Sequence, residues 1–146
     1  MAYAAIQDLI DRFGEIEMIR ATTPDGQDMD GIGAERANAA IDDASAMIDS
    51  YVRKRYRTPL EVAPAEIRRT ACDLARYYLA TGDGRTPSEE VTRRQKDAIA
   101  WLRDIATGAV VLDLDEVAAG DESYATVAIR GDAVSERPAP FGRGFL

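Results

Sequence analysis

The sequence contains no histidine. That removes the commonest general base near neutral pH and the commonest side-chain metal ligand together, so a Ser/His/Asp or Cys/His catalytic site is excluded. The single cysteine, Cys72, rules out an internal disulfide and fits a reducing compartment. No apolar run approaches the roughly 20 residues a membrane-spanning helix needs. The first residues lack a basic segment followed by an apolar run, so no secretory signal is expected. A surplus of cations is missing too: the formal net charge is -8. That argues against a protein whose main task is gripping phosphates, because binding DNA means neutralising it with Lys and Arg. It leaves open a protein that surrounds DNA without holding it.

What is present is helical periodicity on the scale of one domain. Hydrophobic residues make up 46% of the 146 residues, enough for one ordinary core. The pattern is clearest from Ile67 to Leu79. At about 3.6 residues per turn, Ile67, Ala71, Leu74, Ala75 and Tyr78 share one face, with Cys72 and Leu79 beside them. Arg69, Asp73 and Arg76 fall opposite. The wide apolar arc predicts a central helix touching more than one neighbour. Before it, a short helix is predicted over Ala4–Phe13, stopped by Gly14, with further turns over Glu15–Ala21. Thr22–Gly33 reads as a loop rich in aspartate and glycine. A long helix follows from Ala34 to Arg57, whose apolar stripe runs through Ala37, Ile41, Ala44, Ile48 and Tyr51. Its basic last turn either complements the helix dipole or forms a patch that meets an acidic neighbour. After the extended connector Thr58–Pro64 and the central helix, Thr81–Thr86 reads as a flexible turn. A last long helix spans Pro87–Thr107, with a capped and acidic first turn and Gly108 as its stop. Trp101 sits on the border of its stripe, either a core edge or the bundle's candidate interface residue.

Beyond Gly108 the character changes. Val110–Leu114 and Tyr124–Arg130 read as short strands, paired as a hairpin or lying on a neighbouring subunit. Prolines and glycines exclude regular structure after Ser135, yet this stretch carries Arg137, Phe141, Arg143, Phe145 and Leu146. A merely solvated tail normally lacks aromatics. These residues are therefore interaction candidates on an extended C-terminal arm. The expected fold is mainly α: a small bundle of three long helices plus a short N-terminal helix over residues 1–110. Residues 111–146 form the strand and arm extension.

A search for chemistry returns no catalytic constellation. Asp28-Met29-Asp30-Gly31 resembles the middle of an EF-hand loop, but that register puts Gly26 and Ala37 at the first and last ligand positions, where carboxylates are needed. A solvated turn is the expectation, with no metal or other cofactor. Gly82-Asp83-Gly84 lacks the lysine and preceding strand of a phosphate loop. Asp42 with Asp43, and Glu89 with Glu90, are sequence neighbours and diverge on a helix. Cys72 reads as a buried structural thiol. Arg68 falls inside the apolar arc, between Cys72, Ala75 and Leu79, which predicts a buried pair with an acidic group on a neighbouring helix or subunit.

The order of segments carries a resemblance. It rests on Ile6–Gly14, the Asp-Gly loop, the helix through Ala44–Tyr56 followed by Pro59-Leu60, the run Arg68–Tyr77, Ala98–Leu102, and Phe141–Phe145. Together they resemble a Mu-like phage neck protein family of formerly unknown function. The likeness covers most of residues 3–112 and the last few residues; Glu116–Ser135 match nothing in it. The family is similar in layout to the head-to-tail connector proteins, or adaptors, of tailed phages. The resemblance implies a structural virion protein without enzyme activity, assembled as a dodecameric ring. Its implied partners are copies of itself, the portal and the next neck or tail protein, with DNA passing through without sequence-specific binding and no membrane involved. It implies a place in the virion neck, and in the host cytoplasm during assembly. The competing expectation is a soluble helical accessory protein for phage assembly or regulation that acts through protein–protein contacts.

Overall fold

The computed structural model describes residues 1–114; the candidate strand Tyr124–Arg130 and the arm with Arg137, Phe141, Arg143, Phe145 and Leu146 lie outside them. The described part is helical: α1 (Ile6–Phe13), α2 (Glu15–Thr22), α3 (Ala34–Val52), α4 (Ala65–Ala80) and α5 (Glu89–Thr107), with a single 3-10 turn at Gly82–Gly84. No strand forms among the described residues.

The helix ends have local causes. The Asp8 carboxylate accepts the Ala5 N–H at 2.8 Å, occupying one of the donors that a helix start leaves without an intrahelical partner. Gly14, at φ 93°, lets α1 end and α2 begin at a change of direction that a side chain would resist. The hydroxyl of Ser88 accepts the Val91 N–H at 3.2 Å, so Ser88 is the cap of α5 and the helix starts at Glu89, two residues after Pro87. Helix α3 stops earlier than its periodicity suggests. After Val52 the chain tightens into turn bonds, Arg55 N to Val52 O at 3.0 Å and Tyr56 N to Val52 O at 2.9 Å. This turn carries Tyr56 inward to 1% exposure before the connector begins.

Helix α4 packs against α1, α2, α3 and α5, while α3 and α5 also touch each other. Its buried residues Ile67, Ala71, Cys72, Leu74, Ala75 and Leu79 meet Ile41, Ala44 and Ile48 of α3, and Leu102 and Ile105 of α5, in one core. Alanines on α3 and α4 permit this close approach. Leu9, Met18 and Tyr3 close the core from the N-terminal side.

Two expectations are corrected here. Val110–Leu114 is not a strand. Val110 N–H donates to Asp104 O, Leu112 N–H to the Tyr56 hydroxyl, and Leu114 N–H to Leu112 O, so the segment folds back on the bundle and buries Leu112. The Val110 and Leu112 N–H groups thus bond to the bundle and not to a neighbouring strand. Arg68 is exposed, not buried in the apolar arc. Its angular position is as read, but a helical side chain leans towards the helix N-terminus. Ile67 beside it is fully buried, so the cover over the first turn of α4 reaches the Ile67 side and leaves Arg68 exposed. Among the described residues Arg68 forms no buried pair.

Candidate functional site

Polar side chains gather at both ends of the bundle and along one seam between them. At the end where α3 and α5 finish, the Tyr3 hydroxyl donates to Asp49 Oδ1 and accepts the Leu60 N–H at 2.9 Å. The Tyr3 N–H donates to Ser45 Oγ at 3.0 Å, and Ser45 in turn donates to Ile41 O. One tyrosine thus ties the N-terminal segment to α3 and to the connector. Burial, reinforced by the Asp49 hydrogen bond, pushes its phenol up to about 12. The guanidinium of Arg55 lies over Gly108, where an added Cβ would stand 2.0 Å from Nη1.

At the opposite end, α3 begins beside the turn between α4 and α5. Arg36 grips Asp83 with both nitrogens, Nη1 to Oδ2 at 2.7 Å and Nη2 to Oδ1 at 2.8 Å. Arg85 adds a third bond to Asp83 at 3.2 Å. The same Arg85 donates to the carbonyls of Arg20, Ala21 and Thr23, a cation on the acceptor-rich C-terminus of α2. Its Nε is buried, with Asp25 Oδ1 3.9 Å away. These cations hold the Asp83 carboxyl down at about 2, the Arg36 hydrogen bond having the largest effect. The Thr81–Thr86 turn, expected to be flexible, is therefore tied to two helices. Thr22 closes the aspartate loop at its base, donating to Met18 O and accepting the Gly33 N–H, each at 2.8 Å. Beside it lies an open groove of about 480 Å³ lined by Thr22, Pro24, Gly33, Glu35, Arg36 and Ala39.

Along the seam, Arg76 is mostly buried. It donates to Glu17 through Nε at 2.6 Å and Nη2 at 3.1 Å, and its guanidinium carbon sits 4.4 Å from the centre of the Phe13 ring. Glu90 approaches its other side at 3.8 Å and also pairs with Arg94 at 3.1 Å. Periodicity assigned Arg76 to the polar face, which is correct for the helix alone. That α1 and α2 cross this face is a tertiary fact with no local signal. Asp83 had a weak one: between two glycines it marks a tight turn, and it adopts φ 56°. Arg85 had none.

Chemically, this arrangement ties elements together. Among the described residues, no cluster of three or more Cys, Asp or Glu side chains is placed to hold a metal ion, and no helix is long and apolar enough to cross a membrane. Cys72 is fully buried, and burial pushes its thiol up to about 11. Trp101 is half-buried against the edge of the core. Arg68 is exposed near the start of α4.

Comparison with known proteins gives this helical unit a setting. Residues 3–129 match the family described as Bacteriophage Mu, Gp36. The chain is 32% identical to Gene product J of Escherichia phage Mu across the full length of both proteins. It is 34% identical to the Mu-like prophage FluMu protein gp36 of Haemophilus influenzae, over 78% of this chain and 77% of that one. With a family match across most of its length and a full-length relative of this similarity, the chain belongs to the bacteriophage Mu Gp36 family.

Proposed function

We propose that the protein is a structural virion component: a head-to-tail connector, or adaptor, that forms a ring below the portal, extends the DNA channel and joins capsid to tail. The observation that carries this reading is the phage Mu family match across residues 3–129, in a chain whose segment order resembles the adaptors. Physical features support it. A net charge of -8 suits the wall of a conduit, since it repels DNA and does not trap it. The side-chain ties at both ends stiffen a unit that must carry load between capsid and tail. The arm sequence, with Phe141, Phe145 and Leu146 between prolines and glycines, suits a grip on an adjacent ring. The proposed partners are further copies of the chain (twelve in the adaptors it resembles), the portal and the next neck protein. DNA passes through without being read, and no reaction is catalysed.

The test is composition. Purified particles should contain the chain at a fixed ratio to the portal, and cryo-EM of the neck should place it directly below. Absence from particles would refute the connector and favour an accessory protein of assembly.

A further inference from the structure

Three Asp–Gly pairs occur in the sequence: Asp25–Gly26, Asp30–Gly31 and Asp83–Gly84. This dipeptide carries a chemistry of its own. An aspartate side chain has the length that lets its Cγ close a five-membered ring with the backbone nitrogen of the next residue, and a glycine there puts no side chain in the way. The fold treats the three pairs differently. Asp83 is gripped by Arg36 through both carboxylate oxygens, at 2.7 and 2.8 Å, and by Arg85 at 3.2 Å. These cations hold its carboxyl down at about 2, and an ionised carboxylate with occupied oxygens is a poor electrophile. Asp25 faces Arg85 at 3.9 Å and lies in a turn closed by the Gln27 N–H on the Pro24 carbonyl at 3.2 Å. Asp30 and Gly31 are both exposed. Among the described residues, neither the Asp30 carboxyl nor the Gly31 N–H has a hydrogen-bond or ion-pair partner. Asp28 is exposed in the same loop, but Met29 follows it and sets a side chain beside the nitrogen.

We propose that Asp30–Gly31 is a modification site, at which the chain isomerises spontaneously to isoaspartate, while the arginine clamp protects the matching pair at Asp83. The Gly31 nitrogen attacks the protonated Asp30 carboxyl and forms an N–Cγ bond. The carboxyl hydroxyl and the amide hydrogen leave together as one water, and a cyclic imide remains. Water then adds back and breaks one of the two imide C–N bonds. Breaking the N–Cγ bond restores aspartate. Breaking the bond to the main-chain carbonyl carbon leaves the chain linked through Cγ, with the former carbonyl as a free carboxylate. One water is lost and one is gained, and nothing is oxidised or reduced. The product adds one carbon to the backbone of the loop between α2 and α3. Thr22 closes that loop at its base on the Gly33 N–H at 2.8 Å, and Arg85 holds the end of α2, so the change stays outside the helical core. The reaction needs only this chain and water, and it stands apart from the connector reading.

Ageing of the purified full chain tests this. Native protein and protein unfolded in urea are incubated side by side in warm, mildly acidic buffer. Isoaspartate is then measured by enzymatic methyl transfer to the new carboxylate and located by peptide mass spectrometry. Cleavage after arginine places Asp25 and Asp30 in peptide 21–36 and Asp83 in peptide 77–85. In the native chain, isoaspartate should accumulate at Asp30 first. The ratio of the Asp30 rate to the Asp83 rate should rise roughly tenfold or more on folding, since a carboxyl held one pKa unit lower is protonated about tenfold less often. Asp30→Glu lengthens the side chain past the five-membered ring and should remove most of the methyl acceptance of peptide 21–36. Arg36→Gln, checked for native helicity, should raise the Asp83 rate. The aged native protein should keep its melting temperature. Absence of isoaspartate at Asp30 overturns the proposal, as does an Asp83 that reacts in the folded chain as fast as Asp30.

Discussion

The buried hydroxyl of Tyr56 accepts a hydrogen bond from the Leu112 N–H at 2.8 Å, joining the turn after α3 to the segment that leaves α5. Helix α5 alone would release the chain at Gly108. The tyrosine holds it against the bundle as far as the buried Leu112. Tyr56→Phe keeps the ring and leaves the buried Leu112 N–H without an acceptor. A loss of roughly 1–3 kcal/mol in urea unfolding is expected. An unchanged midpoint would mean that the N–H finds water.

Gly108 is constrained twice. Its φ of 89° disfavours any side chain, and Arg55 occupies the space where a Cβ would go. Gly108→Ala should destabilise by about 1–2 kcal/mol from backbone strain, with a further loss from displacing Arg55. Adding Arg55→Ala should not return the double variant to wild-type stability, because the backbone strain remains. Thermal unfolding of the three variants separates the two effects.

Arg76 joins α4 to α2 and covers the Phe13 ring. Arg76→Ala should cost roughly 1–3 kcal/mol, below the full value for a buried pair because Glu17 is 40% exposed. Glu17→Gln should cost less. A double-mutant cycle should give a clear coupling energy between the two, and additivity within error would argue against the pair.

Stability should fall at both extremes of pH. The Asp83 carboxyl is lowered from 3.8 to about 2, so its contribution is present above pH 3.8 and is lost as pH falls through 2. Asp83→Asn should flatten that acid limb. The Cys72 thiol is raised from 9.0 to about 11 and the Tyr3 phenol from 10.0 to about 12. Their contributions are complete below pH 9 and 10 respectively, and are lost as pH rises through the folded values. Cys72→Ala should remove the earlier part of this alkaline decline. In the native protein at pH 8, Cys72 should resist thiol reagents until the chain is unfolded.

Deletion of residues 135–146 removes Arg137, Phe141, Arg143, Phe145 and Leu146. Two phenylalanines left in water forgo roughly 1.5–3 kcal/mol each, a loss that docking on another chain recovers. Ordering the arm costs roughly 1–2 kcal/mol per residue, so a partner surface must add hydrogen bonds or contacts repeated around a ring. The truncated subunit should keep its circular dichroism and melting temperature while neck assembly fails. Complete, infectious particles from truncated protein would refute the docking arm.

The amino-acid sequence determined the helical elements, because apolar periodicity, Gly14, Gly108 and Ser88 act over a few residues. It also determined what chemistry is absent, since a missing histidine needs no fold to interpret. The central position of Ile67–Leu79 was legible in the width of its apolar arc. The ends of α3 and the fate of Val110–Leu114 were not. Both depend on Tyr56 turning inward and offering its hydroxyl to a backbone group far along the chain. Only the tertiary structure decided the roles of the arginines. Arg68 shares an arc with Cys72 and Ala75 yet is exposed, while the adjacent Ile67 is fully buried, because the cover over the first turn of α4 lies on the Ile67 side. Arg76 lies on the polar face of the same helix yet is mostly buried, because α1 and α2 cross it. A helix fixes the direction in which a side chain leaves its axis, and the packing of other helices decides whether that direction meets water or protein.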